Sequence, residues 1–231
     1  MYAVRPEELC FADAVILPGS KNTISDLLWL RKAGLADAVL EAAAGGVPVT
    51  GICGGYQMMG RRITDAQAVE NEMADVSGLG LLPVFTEFEK DKVTRQAAGQ
   101  TMSSPDLPME LRSRKVQGYE IHMGRSRFLS EDASPFCVLD SGEPDGCMAG
   151  SVFGTYLHGL FDSAEFAEAY CRWVARLRGK AVSLKAADYG QYRQEQYDRL
   201  ADALRRSLDM EYICRIMGLP GKQYRKKKEE D

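Results

Sequence analysis

The 231-residue chain is 45% hydrophobic and 27% charged with a formal net charge of -4; it can bury a sizeable α/β core and shows no basic footprint for nucleic acid. Its apolar runs fall short of a membrane span, and the opening Met1-Tyr2-Ala3-Val4-Arg5-Pro6 lacks a signal-peptide apolar region, so the cytoplasm is expected. Six scattered cysteines without a Cys-x-x-Cys pair argue against a disulfide framework, and two histidines far apart make a poor metal-ligand set, so no metal is expected.

In chain order, Ala12 to Leu17 reads as a short buried strand stopped by Pro18-Gly19. Thr23 to Lys32 and Leu35 to Ala44 read as helices, the second closed by Gly45-Gly46. Val47 to Ile52 is the next strand and Tyr56 to Arg62 a helix after it. From Gly80 to about Phe128 the pattern changes to short alternating strands, and Gln96 to Arg114 has no helical period. Val152 to Leu157 is a late strand, Ala164 to Arg178 a helix, and Tyr189 to Met217 a long helical stretch. Strands alternating with helices imply a doubly wound, mostly parallel sheet with a small antiparallel insertion. Residues 1–217 are grouped as one domain, and the charge run within residues 218–231 reads as a solvated, frayed tail.

The chemistry concentrates at Gly51-Ile52-Cys53-Gly54-Gly55-Tyr56-Gln57, where a strand breaks at a glycine-flanked cysteine and a helix follows. That is the pattern of a nucleophile elbow: the side chain projects from the sheet edge, and the helix N-terminus is expected to stabilise a Cys53 thiolate. The alternative is an inert buried cysteine. His158, at the end of Ser151-Val152-Phe153-Gly154-Thr155-Tyr156-Leu157-His158, is the candidate base, because open α/β sheets place sites at the carboxyl ends of their strands. Gly19-Ser20-Lys21-Asn22-Thr23 lacks the Gly-Lys-Ser/Thr order that wraps a triphosphate, and Gly78-Leu79-Gly80-Leu81-Leu82-Pro83 lacks a third glycine, so no nucleotide site is expected in this chain.

The elbow and Gly154-Thr155-Tyr156-Leu157-His158-Gly159 resemble the class I glutamine amidotransferases, in their cobyric acid synthase branch. Three further blocks narrow the resemblance: Leu17-Pro18-Gly19-Ser20-Lys21-Asn22-Thr23-Ile24, Val76-Ser77-Gly78-Leu79-Gly80-Leu81-Leu82-Pro83 and Gly118-Tyr119-Glu120-Ile121-His122-Met123-Gly124. The resemblance implies a flavodoxin-like fold and a glutaminase that follows an ATP-using synthetase domain, with ATP and Mg2+ bound there and no cofactor in this chain. It implies glutamine as substrate and, through the synthetase, a corrinoid acceptor whose four peripheral carboxylates are amidated. Cys53 would attack the side-chain carboxamide, and His158 would protonate the leaving ammonia and activate the hydrolytic water. Gly54 N–H and the Gly19-Ser20 turn are the expected oxyanion donors, worth roughly 3 kcal/mol each.

Gln57 matches the position that lines the glutamine pocket; outside that context it reads as a solvated helix residue. Arg95, in a segment resembling a Thr-Arg block of the family, is expected to hold the α-carboxylate, the alternative being a surface arginine. Glu120 and His122 are expected to border the same pocket, Glu120 facing the α-ammonium, or else to form a structural polar pair. Many class I members carry a glutamate two residues after the histidine, where this chain has Leu160. Asp162 or a backbone carbonyl is left to orient His158. Two other readings remain open: a glutaminase subunit serving another acceptor, such as a cell-wall lipid precursor, and a noncatalytic interaction domain.

Overall fold

The computed structural model describes residues 1–70, 75–130, 133–185 and 189–219. The tail expected within residues 218–231 therefore lies almost wholly outside the described residues. A first sheet has the order β1 (Val15–Leu17), β2 (Val49–Ile52), β10 (Val152–Thr155), β9 (Cys147–Ala149). β1 and β10 both pair with β2 in parallel, and β9 closes the edge antiparallel to β10. All three parallel strands thus end on one edge of the sheet. Leu17 leads there into Pro18-Gly19, Ile52 into Cys53, and Thr155 into the segment carrying His158.

β10 is buried at every position and β2 at all but Ile52, as befits parallel strands covered on both faces. Val49 and Val152 belong to a core that includes Ile24 and Leu27 of α1 (Thr23–Lys32) and Val39 of α2 (Leu35–Ala44). Phe153 joins a second core with Phe166, Tyr170 and Trp173 of α4 (Ala164–Leu177). Alternation along a strand sends successive side chains to opposite faces, so one strand serves two helical layers. Local signals explain the helix limits. Asn22 caps α1 by accepting from Ser25 N–H at 3.0 Å, and Ser163 caps α4 by accepting from Phe166 N–H.

β1, β2 and β10 are shorter than the sequence reading, the first two starting at Val15 and Val49 and the last ending at Thr155, and two helical stretches differ more. α3 runs Gly54–Met59, starting directly after Cys53 and stopping before Arg62. Gly60 turns extended there and Arg61 N–H donates to Val84 O at 2.8 Å, which recruits Arg62 into β3 (Arg62–Thr64). The long C-terminal stretch is two helices, α5 (Tyr189–Ser207) and α6 (Met210–Ile216), because Asp209 caps the second by accepting from Tyr212 N–H at 2.9 Å.

The antiparallel strands belong to a mixed six-stranded sheet of β4 (Asp75–Ser77), β3, β5 (Val84–Thr101), β7 (Cys137–Leu139) and β8 (Pro144–Asp145), with β6 (Lys115–Phe128) also paired to β5; β3 and β5 run parallel and the other pairs antiparallel. The short alternating strands read between Gly80 and Phe128 are in fact one long pair. Its ladder shifts register between Phe88 and Val93, where the exposed charged run Lys90-Asp91-Lys92 breaks the alternation. The first compact unit is residues 1–186; residues 187–231 form a second, whereas the sequence groups 1–217.

Candidate active site

Cys53 sits at the β2–α3 junction with φ 50° and ψ -109°, a left-sided conformation costly for a residue with a Cβ. The surrounding structure imposes it. Cys53 N–H donates to Thr155 O at 2.8 Å and Gln57 N–H to Cys53 O at 3.0 Å, tying the turn to β10 on one side and α3 on the other. Gly55 must be glycine, since a Cβ there would collide with the Leu17 carbonyl at the end of β1.

The sheet edge gathers the expected residues. A Cβ added at Gly19 would lie 2.9 Å from His158 Cε1 and 3.8 Å from Cys53 Cβ, so this one small residue borders both side chains. A Cβ at Gly54 would lie 2.9 Å from Ser20 N, which puts the Gly19-Ser20 turn and the residue after Cys53 side by side. Cys53, His158, Gly19, Ser20 and Gly54 are therefore brought together. Ser20 Oγ is itself engaged, donating to Asp26.

Electrostatics overturn one expectation. α3 is only six residues long and its N-terminus does not ionise the thiol: burial pushes Cys53 up from 9.0 to about 11, and the Gly54 N–H contact offsets only part of that. The Sγ–H donates to Ile121 O at 3.7 Å, consistent with a protonated resting thiol. Burial also lowers the pKa of His158, keeping its imidazole neutral at neutral pH. Among the described residues its buried Nε2 has no hydrogen-bond partner, which leaves that nitrogen able to take a proton. Both the Cys53 thiol and the His158 imidazole are therefore uncharged at neutral pH.

The remaining expected residues are heavily committed. Gln57 is buried, not solvated: its Oε1 accepts from Thr23 Oγ1 at 2.9 Å and its Nε2 donates to Tyr156 OH at 3.3 Å. Arg95 pairs with buried Glu120 directly across the β5–β6 ladder, and with exposed Glu143 at 2.6 Å. His122 bonds Gly124 O through Nδ1 at 2.8 Å and stacks on Tyr156 with ring centroids 3.9 Å apart. Strand alternation puts Glu120 and His122 on one face of β6, and Tyr119 and Ile121 on the other. Asp162 approaches Gly159; its amide donates to Gly159 O at 2.9 Å, and the contacts at the His158 ring come from Tyr119 and Gly19 instead.

Four groups escape the sequence reading. Tyr119 and the Ile121 carbonyl lie inside the Gly-Tyr-Glu-Ile-His block, but nothing local says that they touch His158 and Cys53. Tyr156 bridges Gln57 and Ser126, meeting the latter at 2.8 Å, and its place in Gly-Thr-Tyr-Leu-His was the available signal. Glu70 accepts from Thr23 N–H at 2.8 Å at the start of α1, and its charge helps to raise the Cys53 pKa; no motif points to it.

A strained cysteine at a strand-to-helix turn, with a neutral histidine in the segment after the adjacent parallel strand and amides close by, is an arrangement that can support acyl transfer. The model of the CobB/CobQ-like glutamine amidotransferase domain matches residues 1–166, and the chain belongs to that family. It is 46% identical over 222 residues to a cobyric acid synthase of Citrobacter koseri, covering 94% of this chain and 43% of that protein. With a cobyric acid synthase of Syntrophobacter fumaroxidans it shares 43% identity over 231 residues, covering 95% and 44%. The chain thus spans less than half the length of these relatives. A crystal structure of a glutamine amidotransferase superposes with TM-score 0.53 at 16% identity over 75% of this chain and 85% of that one, a likeness of fold. Among the described residues no helix is long and apolar enough to cross a membrane.

Proposed function

We propose that this chain is the glutaminase part of an ATP-dependent amidotransferase that amidates corrinoid side-chain carboxylates, the reaction of a cobyric acid synthase. The observation that carries it is the convergence of Cys53, His158, Gly54 and the Gly19-Ser20 turn on one sheet edge. The names of the relatives support the corrinoid acceptor, and the share of their length left uncovered supports a synthetase part that binds ATP and Mg2+. This chain needs no cofactor of its own for the hydrolysis.

Glutamine's side-chain carboxamide meets Cys53 Sγ as the thiol proton passes to His158 Nε2. A sulfur–carbon bond forms, and the oxyanion is held by Gly54 N–H and the Gly19-Ser20 amides. His158 returns the proton to the departing ammonia, and a thioester remains. It then removes a proton from water, which releases glutamate and restores the thiol. Because thiol and imidazole start uncharged, proton transfer accompanies attack, so the resting site wastes little glutamine. Arg95 takes the α-carboxylate by exchanging it for exposed Glu143, while buried Glu120 stays in place. Gln57 and His122 wall that side of the pocket.

The test measures glutamate release and acceptor amidation together in the protein that carries this chain. Cys53→Ser should abolish glutamate release yet leave amidation from ammonium salts intact. Glutamate release by the serine variant, or loss of ammonium-driven amidation, would contradict this division of labour.

A further inference from the structure

His158 lacks the carboxylate that orients a triad histidine, since Leu160 at that position is buried in the second core. Yet the imidazole is not loose. Tyr119 of β6 stacks on it with ring centroids 4.9 Å apart and planes within 5° of parallel. The backbones of the same two residues form an antiparallel bridge: His158 N–H donates to Tyr119 O at 2.8 Å and Tyr119 N–H to His158 O at 3.1 Å. Beyond its ladder with β5, this bridge is the pairing that β6 makes among the described residues. It requires Gly118, where any Cβ would run into the His158 carbonyl oxygen. The second sheet thus reaches the catalytic edge through one residue.

Resting on the reading of His158 as the base, we propose that Tyr119 is its positioning residue, holding the imidazole plane by ring stacking where a triad would use a carboxylate. Two features separate this from plain packing. Tyr119 is 50% exposed on an otherwise unpaired strand edge, so it contributes little to any core. Its aromatic face also suits the imidazolium that forms when Cys53 gives up its proton, because a ring quadrupole attracts a cation stacked upon it. A carboxylate would do more: it would raise the histidine's basicity at all times. Stacking fixes the plane and leaves the resting ring neutral, in keeping with a site whose thiol is protonated until substrate arrives.

The stacking and the bridge use the Tyr119 ring and backbone and not its hydroxyl, so the variants divide cleanly. Measured on the full chain, Tyr119→Phe should keep glutaminase kcat within about twofold of wild type. Tyr119→Leu and Tyr119→Ala should lower kcat about tenfold to a hundredfold with KM within about twofold, the scale of a misplaced catalytic group. Labelling of Cys53 by a glutamine-like diazo-ketone, which needs no partner domain, should slow by the same factor, while the melting temperature stays near wild type. A leucine variant that labels and turns over like wild type would overturn the proposal, as would a phenylalanine variant as slow as alanine, or losses that track unfolding. Cys53→Ala is the control. If it still releases glutamate the functional reading itself fails; if it is inactive, the Tyr119 variants judge this inference alone.

Discussion

At pH 7.5 iodoacetamide should alkylate Cys53 at least about tenfold more slowly than an ordinary exposed cysteine. Burial raises the Cys53 pKa from 9.0 to about 11, and two units mean roughly a hundredfold less thiolate at any pH below 9. The thiolate that does form is intrinsically more nucleophilic, by about six- to tenfold for a Brønsted slope of roughly 0.4–0.5 over two units. The product is about a tenfold deficit, and the 6% exposure of Cys53 slows access further. The sign follows from the neutral thiol being the form that burial favours: reactivity should keep climbing with pH through 10 and level off only near 11. Peptide mass spectrometry after timed alkylation reads all sites in one digest, with exposed Cys10 and Cys171 as comparators. A Cys53 rate that levels off below pH 9, or exceeds that of Cys10 at pH 7.5, would refute the reasoning. It would mean that the α3 N-terminus or His158 outweighs desolvation and the resting thiol is already ionised.

Gly118→Ala should cut glutaminase activity and lower stability by about 1–3 kcal/mol, as forced overpacking against the His158 carbonyl separates β6 from the catalytic segment; kinetics with thermal melts would show an unaffected protein if the bridge were incidental. Glu143→Ala should lower the KM for glutamine by freeing Arg95, with kcat unchanged, because the lost competitor acts on substrate and transition state alike; steady-state kinetics showing an unchanged KM would remove Arg95 from substrate capture. Arg95→Ala should raise KM and also destabilise the chain, since buried Glu120 loses its ion pair; chemical denaturation with no stability change would show that Glu120 is satisfied otherwise.

What the sequence by itself determined was local. α2 could be bounded because its stop signal, Gly45-Gly46, directly follows its last residue. The Cys53 turn was legible for the same reason: a strand, two glycines and a helix are contiguous, and their order dictates a sharp bend. The chain could also be read as α/β, because strand and helix patterns alternate along it. Tertiary structure decided whatever depends on residues distant in the chain. Alternation between Gly80 and Phe128 indicated strands but not their length, since β5 continues past its charged break only by pairing with β6. That Gln57 is bonded to Thr23 and Tyr156, and Arg95 to Glu120 and Glu143, could not be read from the chain, because each of these partners is distant in sequence. The protonation of Cys53 could not be read from its turn alone, because desolvation depends on neighbours distant in the chain and outweighs the Gly54 N–H contact. The support of His158 was the most hidden of all: stacking and a two-hydrogen-bond bridge leave no spacing in the sequence, and they exist only because two sheets meet at one edge.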